Sequence, residues 1–279
     1  MMNTIVSSLT KEVVIGDNQP TVLIGERINP AGKKKLAEAL KAGNLEIVRK
    51  EALSQAQAGA DIIDVNVSTF GADEVKLLPQ AVQAVMDTVD IPLCIDSTSP
   101  EALRAALKVY QGKPLVNSVS GEEHSLAKVL PLIKEYGAAV IGLVQDDEGI
   151  PKDSERRVTV AHKIVERAVA GGIAREDIII DCLAFAVGSD PRSGAAVIEA
   201  IRRIKAELGV NLTLGASNVS FGLPYRDILN NAFIAAAVVA GTTCLIVDVA
   251  KTRSTVLATD LILGRDNRAR RYIEAYRQS

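Results

Sequence analysis

The chain has 279 residues, is 48% hydrophobic and carries a formal net charge of −2, which allows one large core and offers no basic surplus for nucleic acid or anionic lipid. No apolar run reaches the ~20 residues of a membrane span, and the opening MMNTIVSSLTKEVVIGDNQP has neither a basic n-region nor a long apolar h-region, so no signal peptide is expected. Cys94, Cys182 and Cys244 sit in or just after apolar runs and form no CxxC pair, which reads as the reduced thiols of a cytoplasmic protein.

Residues 1–20 are expected to form an N-terminal extension, and EVVIGDNQPTVLIG a small hairpin that turns at Gly16-Asp17-Asn18 and plugs one end of the fold. Eight short Val/Ile/Leu-rich runs follow: TVLIGE (21–26), DIIDVN (61–66), PLCID (92–96), PLVNS (114–118), AAVIGLV (138–144), DIIID (177–181), NLTLGAS (211–217) and TCLIVD (243–248). They are near-continuously apolar, as strands covered on both faces are. Ala/Leu/Lys/Glu-rich stretches with helical spacing lie between them. Strand then helix, repeated eight times over about 250 residues, predicts a single (β/α)8 barrel, with an open doubly wound sheet as the alternative. Gly59, Gly112, Gly137, Gly171 and Gly209 are expected to be left-handed helix C-caps. Thr98, Ser99 and Pro100 should start the helix after the third run, and GRDNRARRYIEAYRQS should be a last amphipathic helix with a solvated arginine face.

In such a barrel the chemistry sits where strands run into the following loops. The first run ends in Glu26, Arg27 and Asn29, the second in Asp64 and Asn66, the third in Asp96 and the fourth in Asn117. The fifth leads to Gln145, Asp146 and Asp147, the sixth ends in Asp181, the seventh in Asn218 and the eighth in Asp248. Any one of these residues can simply cap the next helix. As a converging set they suit a flat heterocycle with alternating N–H and C=O groups, because Asp accepts hydrogen bonds while Asn both donates and accepts.

The two histidines, His124 and His162, both fall inside helical stretches, so neither a zinc cluster nor a Ser-His-Asp set is expected. No lysine ends the sixth or seventh run, and no GxGxxG or GxxxxGK[ST] occurs. No metal site is expected, Asp146-Asp147 being the one adjacent acid pair at the strand ends. Phe70, Phe185 and Phe221 each follow a strand, either as loop anchors or as a hydrophobic wall for a flat ligand or a docking partner.

LIGERIN (23–29), DVNVS (64–68), CIDST (94–98), VNSVSGE (116–122), IGL followed by GIPKD (149–153), IIIDCL (178–183) and GASNVSFGLPYR (215–226) together resemble the pterin-binding methyltransferases. Within that group they look like the methyltetrahydrofolate:corrinoid protein methyltransferases and the folate domain of cobalamin-dependent methionine synthase. The resemblance implies a pterin-binding barrel that moves a methyl group between N5 of methyltetrahydrofolate and the cobalt of a corrinoid (cobalamin) carried by a separate protein. It implies that Asp96, Asn117 and Asp181 hold the pterin and that Asn218 contacts the N5 region as the catalytic residue. Arg226 would lie over the pterin, with Asn29, Asp64, Asn66 and Phe221 near the mouth in less defined roles. A homodimer paired through barrel helices is also implied, with the apolar NNAFIAAAVVAG (230–241) as either its contact or ordinary barrel packing. The competing readings are a dihydropteroate synthase-like enzyme, for which Lys251 and Arg253 would supply cations, and a non-catalytic folate-binding barrel.

Overall fold

The computed structural model of the protein describes residues 2–277. Two short strands come first, β1 (Thr4–Ser7) and β2 (Glu12–Ile15), paired antiparallel. Eight strands then form one parallel sheet: β3 (Val22–Ile28), β4 (Ile62–Asn66), β5 (Leu93–Asp96), β6 (Leu115–Ser120), β7 (Ala139–Leu143), β8 (Ile178–Asp181), β9 (Asn211–Thr213) and β10 (Cys244–Val247). Each strand from β3 to β8 pairs with the next in sequence, and β10 pairs with β3. The sheet closes between β9 and β10, where Thr243 N donates to Leu212 O at 3.0 Å and Ile246 N to Leu214 O at 3.1 Å. The result is a (β/α)8 barrel, with every strand inside one of the eight apolar runs or extending it by a residue or two.

The helices are α1 (Lys34–Lys41), α2 (Glu46–Ala58), α3 (Glu74–Met86), α4 (Pro100–Val109), α5 (Glu123–Tyr136), α6 (Ser154–Ala170), α7 (Ser193–Leu208), α8 (Arg226–Ala240), α9 (Val249–Ile262) and α10 (Arg270–Arg277). Their starts follow from local chemistry. Ser99 caps α4 by accepting from Ala102 N, with Pro100 in the first turn, and Asp153 caps α6 by accepting from Arg156 N at 2.8 Å. The helices bury the outward faces of the strands in one continuous core. Each Val, Leu or Ile fully buried there contributes roughly 1.5–3 kcal/mol. At Gly142 in β7 a Cβ would stand 2.7 Å from Ile164 Cγ2, so glycine lets α6 approach the strand closely.

Inside the barrel a second apolar layer is formed by alternate strand residues, among them Ile24, Ile62, Cys94, Leu115, Ile141, Ile179 and Ile246. Val6 and Ile15, both fully buried, complete that layer from below, so the β1–β2 hairpin plugs the N-terminal mouth. The plug is as expected, but its turn is not. The hairpin turns at Ser8–Lys11, where Ser8 N donates to Lys11 O and the hydroxyls of Ser8 and Thr10 bind Asp90. The Gly16-Asp17-Asn18 turn instead leads from the hairpin into β3.

The glycine caps divide as well. Gly59, Gly137 and Gly209 are left-handed C-caps. Gly171 is right-handed, and its neighbour Gly172 takes the positive φ of 87°. Gly112 has positive φ but lies beyond the end of α4, pressed against the backbone of Ser7 and Ser8 in the hairpin. The close approach of another chain segment, not a helix end, requires glycine there.

Candidate active site

Side chains alternate across a strand, so the residue two positions after an inward apolar residue also points inward. Two steps on from Ile24, Ile62, Cys94, Leu115, Ile179 and Ile246 stand Glu26, Asp64, Asp96, Asn117, Asp181 and Asp248. The barrel interior therefore changes from apolar to acidic within one layer, at the C-terminal mouth. A cleft of about 400 Å³ opens there, lined by Glu26, Arg27, Asn29, Lys33, Asp64, Asp96, Asn117, Asn218, Arg226 and Asp248, among others.

The carboxylates are tied to carboxamides. Asn66 Nδ2 donates to Asp96 Oδ2 at 2.9 Å, and Asn117 Nδ2 donates to Asp64 Oδ1 at 3.1 Å. Ser217 Oγ donates to Glu26 Oε1 at 2.6 Å. Arg27 bridges outward, with Nη1 3.6 Å from Asp248 Oδ2 and Nε 3.4 Å from Glu51 Oε2. These bonds hold the acids in place yet leave Asp96 Oδ1 and Asn117 Oδ1 without a protein donor among the described hydrogen bonds.

Burial dominates the electrostatics. Asp64 is only 2% exposed, and desolvation, reinforced by the neighbouring Asp96 charge, pushes its pKa well above the ordinary value. Burial pushes Asp96 up to about 6, against the opposing hydrogen bond from Asn66. Asp181, 4% exposed, is also pushed up to about 6 by burial. Glu26 is raised in the same way, while burial and then Arg27 lower Lys33. Depth below the rim, which sequence does not report, is what raises these carboxyls.

The expected site residues fall into groups. Asp64, Asp96, Asn117, Asn29, Asn218 and Arg226 share the cleft. Asn66 reaches it through its bond to Asp96, and its Oδ1 accepts from Ser68 N, as Asn29 Oδ1 accepts from Ala31 N. These are turns within the loops; α1 begins after Lys33 and α3 after Asp73, so neither asparagine caps the next helix. Asn218 is exposed on the short 3-10 turn Ala216–Ser220. Arg226 donates to Ser217 O at 2.8 Å and to Ser220 Oγ at 3.0 Å and lies 5.9 Å from the Phe221 ring centroid. Asp181 keeps the inward register but is sealed beneath its own loop, its Oδ1 accepting from Leu183 N at 2.7 Å.

Asp146 and Asp147 do not join the site. Asp146 binds Arg156 Nη2 at 3.0 Å and Asp147 lies out near Lys163, because β7 ends inward on Leu143 and its acids belong to the loop beyond. Phe70 (94% exposed) and Phe221 (71%) stand on the surface, whereas Phe185 is half-buried beneath Arg157 and is no part of an open rim. Lys33, from the loop after β3, was not foreseen. It donates to Arg27 O at 2.7 Å, a loop-to-strand contact with no periodicity to reveal it. Among the described residues no group of three or more His, Cys, Asp and Glu is arranged to hold a metal ion.

Residues 25–248 match the family of pterin binding enzymes, and the chain belongs to that family. It is 34% identical over 267 residues to the methylcorrinoid:tetrahydrofolate methyltransferase of Eubacterium limosum, covering 92% of this chain and 96% of that one. It is 32% identical over 259 residues to the methionine synthase of Mycobacterium tuberculosis, where the match covers 88% of this chain and 22% of the other. Among solved structures, a dihydropteroate synthase of Xanthomonas albilineans superposes with a TM-score of 0.70 at 21% identity, covering 94% of this chain and 98% of that one. The Yersinia pestis dihydropteroate synthase gives 0.68 at 17% identity, covering 94% and 99%. At those identities the likeness is one of fold.

Proposed function

We propose that the protein transfers a methyl group between N5 of methyltetrahydrofolate and the cobalt of a corrinoid held by a separate protein. The observation that carries this is the ring of Asp and Asn side chains at the C-terminal mouth, set over an apolar barrel interior. In this reading the free acceptor atoms of Asp96 and Asn117, with Asp181 below its loop, take the N–H groups of the pterin edge, and Arg226 covers its face. The similarity to the Eubacterium limosum methyltransferase over nearly the whole of both chains supports it.

Methyl transfer from a tertiary amine needs a proton, or a strong hydrogen bond, at N5 in the transition state. Asn218 supplies the amide that accepts from protonated N5 or donates to the neutral amine, a gain realised mainly in the transition state. The proton comes through the buried carboxyl network of Asp64, Asp96 and Glu26, all raised above the ordinary carboxyl range by burial. The corrinoid supplies a strong nucleophile in its reduced state, and Phe70 and Phe221 on the open rim are its partner's contact. Direction follows from the relative supply of methyl donor and acceptor. The same reading includes a cytoplasmic location and a homodimer through the barrel helices, for which Ile228 and Val239 are exposed apolar positions on α8.

The synthase alternative needs cations over a diphosphate. Lys251 Nζ is 3.3 Å from Asp227 Oδ1, and Arg253 lines a separate groove with Tyr272 and Tyr276, so neither favours it. Calorimetric titration with tetrahydrofolate and with a pterin pyrophosphate separates the readings. Tight binding of the first alone is expected, and preference for the pyrophosphate would overturn the proposal.

A further inference from the structure

Arg157, the fourth residue of α6, is fully buried although α6 belongs to the outer helical layer. Its Nη1 donates to the carbonyls of Cys182 and Leu183, the latter at 2.7 Å, and its guanidinium lies 5.6 Å from the Phe185 ring centroid. Its Nε and Nη2 have no hydrogen-bond partner, and no carboxylate lies within 4.0 Å among the described residues. Burying a guanidinium with two idle nitrogens is costly, and a neutral donor would serve the two carbonyls equally well. The cost points to a use for the charge. The segment it grips directly follows Asp181, returns Leu183 N to Asp181 Oδ1 and passes through Leu183 at φ 50°.

We propose that Arg157 is a positioning residue for the pterin site, fixing the Cys182–Phe185 segment over Asp181 and supplying the positive field that holds that carboxylate in its ligand-accepting form. The pterin role of Asp181 rests on the function proposed above; the coupling of Arg157 to Asp181 does not. The other ionisable groups around the pair are the thiols of Cys182 and Cys244, both pushed up by burial and so uncharged, and Asp153, the cap of α6. Leu143 and Thr213, beside Asp181 on β7 and β9, carry no charge. Arg157 is therefore the cation that opposes the effect of burial on Asp181.

The test is a carbon-13 carboxyl titration of ligand-free protein, with Asp181 assigned by Asp181→Asn. In Arg157→Gln, which keeps an amide donor but loses the charge, the Asp181 midpoint rises by roughly one pH unit. Arg157→Lys restores most of it, and Arg157→Met repeats the rise. The acid limb of tetrahydrofolate binding moves with the midpoint. A folded neutral variant with an unchanged Asp181 midpoint overturns the inference. So does failure of both neutral variants to fold, which would make Arg157 a residue of the fold alone. Lack of tetrahydrofolate binding by the unmodified protein would instead strike the proposed function and leave the titration to decide this one.

Discussion

The two mouths of the barrel bury polar groups for opposite ends. At the N-terminal mouth Asp260, 1% exposed, accepts from Thr21 N at 2.8 Å and Thr21 Oγ1 at 2.7 Å, and Arg265 and Arg271 stand beside it. Asn211 Nδ2 donates to both Thr4 Oγ1 and Ile15 O, tying β9 to the hairpin. These bonds give the Asp260 carboxylate and the Asn211 amide N–H groups partners within the chain, although Asn211 Oδ1 has none. At the C-terminal mouth Asp64 and Asp96 face carboxamides and each other while Asp181 faces the backbone of its own loop, with burial raising all three. The first arrangement stabilises the fold. The second costs stability in the free protein and leaves acceptors that a ligand can satisfy.

The contrast breaks most violently if the plug is spoiled. Val6→Asp puts an unpaired carboxylate into the fully buried layer, and a loss of about 4 kcal/mol or more in urea unfolding is expected, up to outright failure to fold. Next, Asn218→Ala leaves the exposed turn intact and should slow methyl transfer about 10²-fold while changing tetrahydrofolate affinity only a few-fold. Equal losses in both would remove its transition-state role.

A smaller effect appears in stability against pH. Asp96 and Asp181 titrate near 6 when folded and about 3.9 when unfolded. Between those values the folded chain binds more protons, so their contribution is fully present below about 3.9 and is lost as pH rises through 6. Asp96→Asn should remove part of that decline, on the order of 1–3 kcal/mol, and also weaken tetrahydrofolate binding. A decline of the same slope in the variant would show that Asp96 is not its source. The least change is expected from Phe70→Ala. Urea stability should move by no more than about 0.5 kcal/mol, since the ring is on the surface, while turnover with a corrinoid protein falls and turnover with free cobalamin does not.

Strand positions were legible because both faces of each strand are covered, which writes a continuous apolar run into the sequence. The mouth residues were legible because the polar side chain follows the inward apolar one at the strand's own period, as Cys94 to Asp96 and Ile179 to Asp181 show. Features fixed by distant contacts were not legible. The Ser8–Lys11 turn carries no glycine or asparagine and is set by Asp90, some eighty residues away. Lys33 and Arg157 act through backbone carbonyls, which leave no side-chain pattern to read. Asp146 and Asp147 misled because an acid after a strand looks the same whether the strand ends inward on Asp, as β5 does, or on Leu143.

The most direct measurement mixes the purified protein with methyltetrahydrofolate and reduced free cob(I)alamin and follows the absorbance spectrum. Loss of the cob(I) band with matching growth of methylcobalamin, at a rate that depends on protein concentration and falls in Asn218→Ala, is the predicted result. Tight folate binding with no spectral change, with free cobalamin and with candidate corrinoid proteins alike, would contradict the assignment of methyl transfer to this site.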